Sequence, residues 1–456
     1  MIKNISQDFL FKSVAILIFP LAVLSPVSVW ILAIIPAIFL VFIRKNWNTF
    51  FNLDIIETLF ILFILFSSIS LIWSIEVKYG FNVIASISIL FFSFMIMKKS
   101  ALKLHNEKIK RVLTTSYLIV LYFTLVDIFF ALGIKPWLSS IFDYLVLDNA
   151  EKPTDYFTYF TNFEKGSLSG SYNRGLAVIN IFFFIVAGCN YKNRFLLLIL
   201  YLSTFFILMV GENLSALLAF VFGSFVFVLF YILKKWIFFP LIAVVLFYAL
   251  CAPIIFNKYD INTWAFKEKA LSSTVKKYHN LGYSTTKNLD YLLHKGQYIR
   301  YKIEYKLLHR FFIWSVSSNK TMKKIILGHG VSSSRKFGEK ETVEFKRITG
   351  DYIEKIYYPS IPLHTHNNTV QIWLELGLVG IILFYSFFTF FWYKILFRYK
   401  LKKFEYSLVS GCLFSVFLIN QVSYGLWQFW WISAILLCII FFIILFKDAE
   451  KSETFL

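Results

Sequence analysis

The chain has 456 residues, of which 58% are hydrophobic and 20% aromatic, while only 16% are charged. A soluble domain carries about 25% charged residues, so this composition excludes an ordinary water-soluble protein and points to an integral membrane one. Its 46 Lys and Arg against 26 Asp and Glu leave a formal net charge of +20, and these residues fall mainly in the connections between apolar runs. Fifty-five Phe suit helices whose outer faces meet lipid, and the short alternating segments of a membrane barrel are not evident. The predicted fold class is all-α and polytopic.

Runs of about 17–25 apolar residues can cross a hydrocarbon core about 30 Å thick. In chain order they fall near 9–25, 27–43, 55–73, 80–97, 112–132, 174–189, 194–210, 212–233, 236–256, 368–397, 405–421 and 427–446, which predicts about 12 transmembrane helices. The first run follows a lysine but lacks a small-residue cleavage site, so it reads as a membrane helix rather than a signal peptide. Ser25-Pro26 makes the first two runs a tight hairpin. Asp127, Glu212 and Glu375 lie in or at the edge of apolar runs, where an ionisable group is costly and therefore a functional candidate. Cys189, Cys251, Cys412 and Cys438 are spaced for neither a zinc site nor a disulfide framework and read as small buried hydrophobes.

Between the ninth and tenth runs, residues 257–363 form a long polar stretch with about 20 Lys and Arg against about 9 Asp and Glu. The chain thus divides into helices 1–9 over 1–256, a loop over 257–363, and a final part over 364–456. The basic loop is either an anion-attracting surface or simply a solvated one. Within it, Tyr298 to Ser317 has Lys302, Lys306 and Arg310 on one side and Tyr301, Tyr305, Leu308 and Phe312 on another, the pattern of an amphipathic helix on the membrane surface. Arg310 lies beside Phe311, Phe312 and Trp314, where a guanidinium is partly desolvated and binds phosphate more strongly than in open water. Ser332, Ser333 and Ser334 with Arg335 read as a lid or as a low-complexity loop.

The tenth run opens at His364-Thr365-His366-Asn367-Asn368. Pro359 and Pro362 disfavour helix in the approach, and Asn367 or Asn368 is a natural N-cap for a helix starting at Thr369. His366 then stands at a helix N-terminus, whose positive dipole end disfavours imidazolium and favours a neutral ring near pH 7, suited to general base work. The alternative is that His364 and His366 are interfacial hydrogen-bonding groups. A metal site is disfavoured, because no carboxylate or cysteine lies near in sequence. Asn420 and Gln421 read as interhelical hydrogen-bonding groups, and Trp427, Trp430 and Trp431 as an interfacial belt.

Short loops set the orientation. Arg44 and Lys45, the cluster Lys98 to Arg111, Lys192 and Arg194, Lys234 and Lys235, and Lys394 to Lys403 fall in every second connection. By the positive-inside rule these connections and both termini are cytoplasmic, which puts 133–173 and 257–363 on the far side.

His366-Asn367, then nine residues, Gly377, two residues and Gly380 resemble the signature of the bacterial O-antigen ligase family. Gly170-Ser171-Tyr172-Asn173-Arg174, and Arg310-Phe311-Phe312-Ile313-Trp314 followed by Leu327-Gly328-His329-Gly330, are similar to the family's Arg-bearing loop segment and its Arg…Trp…Gly-x-Gly stretch. The resemblance implies transfer of a glycan from undecaprenyl pyrophosphate to lipid A–core at the periplasmic face of the inner membrane. It implies a metal-independent, inverting glycosyltransferase without cofactor or nucleic-acid partner, with membrane lipids around it. Matched residue by residue, it makes His366 the catalytic base and places Arg174, Arg310, Asn367 and His364 at the substrate. One departure stands out: family members often carry an arginine after Gly-Glu where this chain has Gly211-Glu212-Asn213. Polymerases and protein O-oligosaccharyltransferases of the same superfamily are alternative readings. A lipid-linked oligosaccharide flippase is a reading of another class, disfavoured because intramembrane charges are few and the halves look unrelated.

Overall fold

The computed structural model describes residues 6–43, 53–102, 104, 106–129, 134–135, 172–211, 213–257, 266–268, 310–340, 342–349 and 352–450. Each of the apolar runs is helical over its described residues. In order they are α1 (Gln7–Leu24), α2 (Ile31–Ile43), α3 (Ile55–Ile69), α4 (Val77–Ala101), α5 (Asn106–Phe129), α6 (Asn173–Cys189), α7 (Arg194–Val210), α8 (Leu214–Leu233) and α9 (Phe238–Asn257). After the loop come α12 (Asn368–Phe397), α13 (Lys403–Val422) and α14 (Phe429–Glu450). Among the described residues nine helices are long and apolar enough to cross a bilayer, and three apolar helices, at Asn173–Cys189, Arg194–Val210 and Phe429–Leu445, are shorter. Many large apolar side chains face outward, among them Phe42, Ile72, Phe195 and Phe247, as expected where the surrounding medium is lipid.

The helices are arranged around α6. Its residues from Leu176 to Ala187 are almost all fully buried, and α1, α5, α7, α8, α13 and α14 pack about it. A helix apolar on every side has no face to give to water and takes the middle of the bundle. Its first turn carries Arg174, so the central helix delivers that residue to one end of the protein. Helices α8 and α13 pack tightly because Gly223 and Gly411 meet: a Cβ on either would lie 2.7–2.8 Å from the other's carbonyl oxygen. Small residues at such a crossing let backbones approach closely. At the bundle end away from Arg174, Asp54 and Glu57 form a capping box for α3, Lys98 of α4 donates to Glu57 (2.7 Å) and Lys394 of α12 donates to Asp54 (2.8 Å).

The loop holds regular structure of its own. Residues 310–322 are helical (α10), but Phe312, Ile313, Trp314 and Val316 are buried against α9 and α12. This corrects the expectation of a surface helix for its described part; the stretch 298–309 lies outside the described residues. The strand β1 (Phe266–Glu268) precedes α10, and after a second short helix, α11 (Ser333–Lys340), come β2 (Thr342–Thr349) and β3 (Tyr352–Pro359). β2 and β3 pair antiparallel, with Val343 opposite Tyr358 and Ile348 opposite Ile353, and β1 joins β2 in parallel. The membrane part is thus all-helical, and the small sheet is an addition that the apolar runs did not announce.

The tenth run is not one continuous helix. Gly377 (φ 63, ψ −158) interrupts α12, leaving a short N-terminal half over 368–376 and a spanning half beyond it. The groups freed by the break are met by the segment ahead of α11: Leu378 N–H donates to Ile325 C=O (2.9 Å), His329 N–H to Leu374 C=O (2.9 Å) and Gly330 N–H to Glu375 C=O (2.8 Å). Backbone groups at membrane depth require such partners. The approach is close enough to demand glycine, since a Cβ on Gly377 would lie 2.4 Å from Ile326 O and one on Gly328 would lie 2.5 Å from Glu375 O. Gly377→Ala is expected to lower stability by about 1–3 kcal/mol and to lower the thermal unfolding midpoint in detergent. An unchanged midpoint would show that the break has no structural role.

Candidate functional site

His366 sits just ahead of the N-cap of α12 and adopts φ 55, a left-handed backbone that costs a non-glycine residue about 1–3 kcal/mol. Two contacts hold it there. Its N–H donates to His364 Nδ1 (3.1 Å), and its ring Nδ1 lies 2.8 Å from Ser423 C=O. A carbonyl only accepts, so Nδ1 carries the hydrogen and, in the neutral ring, the lone pair is on Nε2. The protein therefore selects the tautomer in which Nε2 receives a proton.

His364 is a support for His366. Its ring packs against that of His366 with centroids 4.2 Å apart, and a Cβ on Gly425 would lie 2.8 Å from its Cγ. Burial, with the neighbouring charges of His366 and Arg310, pushes the His364 pKa down to about 3, so the ring is neutral. Because its Nδ1 accepts, its Nε2 must donate. Nε2 lies 3.1 Å from Gln428 Nε2 while Gln428 Oε1 is buried without a hydrogen-bond partner. With the amide turned so that Oε1 faces the ring, Gln428 accepts from His364 Nε2–H. Asn367 is wholly committed: its Oδ1 accepts from Val370 N–H (3.0 Å) as the N-cap of α12, and its Nδ2 donates to Tyr248 OH (2.7 Å). It fixes the helix start and, through α9, the histidine before it.

Arg310 and Arg174 come together through Tyr424, the residue after the carbonyl that holds His366. Both charges act on the Tyr424 phenol, and burial pushes its pKa up strongly, so it is a neutral donor; its OH donates to Asn173 C=O (3.2 Å). Burial pulls the Arg310 pKa down, the partial desolvation expected from its aromatic neighbours. The Arg174 guanidinium lies 5.9 Å from the centre of the Trp430 ring, which packs edge-on to Tyr424 at 4.8 Å. Trp314 Nε1 donates to Thr365 C=O (3.0 Å), tying the helix of Arg310 to the histidine segment. His364, His366, Arg174 and Arg310 thus gather at one end of the bundle around the turn between α13 and α14.

Several other candidates are structural. Glu375 accepts from Ser332 N–H (2.8 Å), Ser334 Oγ (2.5 Å), Gln371 Nε2 (3.0 Å) and Trp427 Nε1 (2.5 Å). It locks the serines to α12, so Ser332 to Ser334 are a buried clasp rather than a lid. Trp430 and Trp431 are buried, and Trp431 Nε1 donates to Asn420 Oδ1 (2.7 Å); these two tryptophans are interior, not a belt. Asn213 caps α8 and its Nδ2 donates to Asn173 C=O (2.5 Å), beside the Tyr424 hydroxyl. Glu212 lies outside the described residues. Ser423 and Tyr424 carried no signal of their own, although their place in a polar gap between two apolar runs marks a turn at the same end as the histidines. An apolar cavity of about 180 Å³ lies at the other end, rimmed by Asp54, Glu57, Lys98 and Lys394, and holds none of these residues. Among the described residues no group of three or more His, Cys, Asp or Glu is placed to hold a metal ion.

A bundle of apolar helices with one polar corner that gathers two histidines and two arginines defines a polytopic membrane protein. Residues 195–385, which include Arg310, His364, His366 and Asn367, match the family model described as O-antigen ligase; over that segment the chain is similar to the O-antigen ligase family. It is 31% identical over 268 residues to a protein of Rickettsia conorii, covering 58% of this chain and 54% of that one. It is 30% identical over 265 residues to a protein of Rickettsia typhi, covering 57% and 55%. Both relatives are named "Putative polysaccharide ligase". The matched stretch spans about half the length of these relatives. No solved structure matches.

An unfolded histidine titrates near pH 6.5, whereas His364 titrates near 3 in the fold. Between these values the unfolded chain binds the extra proton, so the contribution of His364 is fully present above about pH 6.5 and is lost as pH falls towards 3. Replacing His364 with Gln is expected to flatten the acid side of the unfolding-midpoint profile in detergent. A profile identical to that of the wild type would remove the neutral-histidine assignment.

Proposed function

We propose that the chain is a ligase that transfers a glycan from a polyprenyl pyrophosphate, undecaprenyl pyrophosphate in the family's chemistry, to a hydroxyl of lipid A–core. The observation that carries this reading is the Nδ1–H bond from His366 to Ser423, next to the Tyr424 corner that joins both arginines. His366 Nε2 takes the proton of the acceptor hydroxyl as its oxygen attacks the anomeric carbon. The bond from that carbon to the pyrophosphate oxygen breaks, and the negative charge growing on the leaving group is met by Arg174 and Arg310. A single displacement inverts the anomeric centre. The reaction draws its energy from the lipid pyrophosphate, so the proposed reaction assigns no step to a metal or nucleotide.

The basic connections lie at the opposite end of the bundle from His366. Under the positive-inside rule they are cytoplasmic, so both termini are inside and the site opens to the periplasm. His364 and Asn367 act in this scheme by holding His366 in place.

The test is purified protein in detergent with an undecaprenyl pyrophosphate-linked glycan and, separately, lipid A–core or a second donor molecule as acceptor. Product on lipid A–core supports the ligase; chain extension alone would replace it with a polymerase. His366→Ala is expected to lower transfer by about 10²–10⁴-fold with donor affinity retained, while Arg310→Ala is expected to weaken donor binding by roughly 10–100-fold. Full transfer by His366→Ala would overturn the base assignment.

A further inference from the structure

The apolar cavity at the end of the bundle away from His366 has no part in the chemistry proposed above. It is enclosed by a ring of five helices in which each packs on the next: α3 on α4, α4 on α14, α14 on α13, α13 on α12, and α12 back on α3. Residues of all five line the space, which measures about 180 Å³. Phe60, Phe94, Phe387, Phe391, Leu413 and Ile439 belong to the lining and are only half-buried. Along α12 the lining runs from Lys394 to Phe387, roughly 10 Å of helix rise.

The mouth is charged and the interior is not. At the rim, Lys98 Nζ lies 2.7 Å from Glu57 and 3.6 Å from Asp54, and Lys394 Nζ lies 2.8 Å from Asp54. Two ammonium groups and two carboxylates leave these four residues without net charge. The side chains of Asp54, Lys98 and Lys394 are 28%, 25% and 19% exposed, so the rim opens outward. An ammonium has three N–H groups, and Lys394 donates to one carboxylate among the described residues. Deeper in, aromatic and aliphatic side chains surround the thiols of Cys412 and Cys438, whose sulfurs lie 3.7 Å apart. Thiols are weak partners for water, which needs about two to four polar contacts, so the interior suits hydrocarbon.

We propose that this cavity holds one acyl chain of a membrane glycerophospholipid with a zwitterionic headgroup. A dry apolar cavity takes an apolar guest, and about 150 Å³ is enough for benzene. The space inside the five-helix ring is larger and longer than that, and the bilayer around the protein supplies the guest. At the rim the lipid phosphate meets Lys98 and Lys394 while its ammonium meets Asp54 and Glu57, and the charges of the rim stay balanced. An anionic headgroup supplies the phosphate but has no cation for the two carboxylates. A lipid seated there ties α3 and α4 to the last three helices and stabilises the bundle by mass action. The site is independent of the reaction proposed for the opposite end.

The experiment is native mass spectrometry of the full chain, delipidated in detergent and titrated with phosphatidylethanolamine or phosphatidylglycerol of the same acyl chains. Wild type is compared with Val416→Phe, which fills the cavity from α13 at the lining position farthest from the rim. Wild type should retain one phosphatidylethanolamine and bind phosphatidylglycerol roughly 5–10-fold more weakly. Val416→Phe should bind phosphatidylethanolamine roughly 10–100-fold more weakly than wild type, because the added ring displaces two or three methylenes. Equal binding by Val416→Phe overturns the site, phosphatidylglycerol binding as tightly as phosphatidylethanolamine overturns the zwitterionic assignment, and no retained lipid on wild type overturns both. Should Val416→Phe fail to fold, a phosphatidylethanolamine with a diazirine in its acyl chain tests the wild type directly. Crosslinks within 387–395, 409–416 and 435–443 are expected, and crosslinks confined to outward-facing residues such as Phe42, Phe195 and Phe247 would refute the proposal.

Discussion

The break in α12 at Gly377 is the constraint on which the site depends. Inside a membrane an interrupted helix leaves N–H and C=O groups without partners, and each such group costs several kcal/mol unless another segment reaches it. Residues 325–330 reach it from outside the helix. Once they do, the chain ahead of α12 has no freedom: Glu375 clasps Ser332 and Ser334, α10 is drawn against α9, and the short half-helix is left with its N-terminus at the polar end of the bundle. His366 occupies that end. Its unfavourable backbone is tolerated because three other elements hold it: the His364 ring, the Ser423 carbonyl and the Asn367 cap.

The turn between α13 and α14 does the complementary work. Ser423 sets the tautomer of the histidine, and the next residue, Tyr424, feels the charges of two guanidinium groups, one brought by the central helix and one by the loop. The proposed base and the two arginines are thus joined through two consecutive residues. The turn itself packs on Trp430 and Trp431 through the Tyr424 ring.

The helices were legible because long apolar runs leave the backbone no alternative in lipid, and their ends agree with the expected ones to within a few residues. The break at Gly377 was not, since apolar residues continue on both sides and a glycine inside a membrane helix is common. Its signal lay in the second cluster, Gly328 and Gly330, which only the fold brings beside it. β2 and β3 were also missed, although Thr342 to Thr349 and Tyr352 to Pro359 flank Gly350-Asp351, a natural hairpin turn. The histidine pair and the arginines were visible as residues. The contacts that hold them were not, because Ser423, Tyr424 and Gln428 lie some 60 residues downstream of the histidines.

The polar corner is assembled from Arg174, Arg310, His366 and the turn at Ser423, the last of which precedes the final helix. During synthesis these pieces leave the ribosome in that order, and Nδ1 of His366 finds its carbonyl only after α13 has entered the bilayer. An incomplete chain therefore carries Arg174, Arg310 and His366 without the turn that joins them. On the proposed function, competence is acquired in one late event, when the last two helices close the bundle and bring the turn at Ser423 and Tyr424 to the histidine and the arginines together.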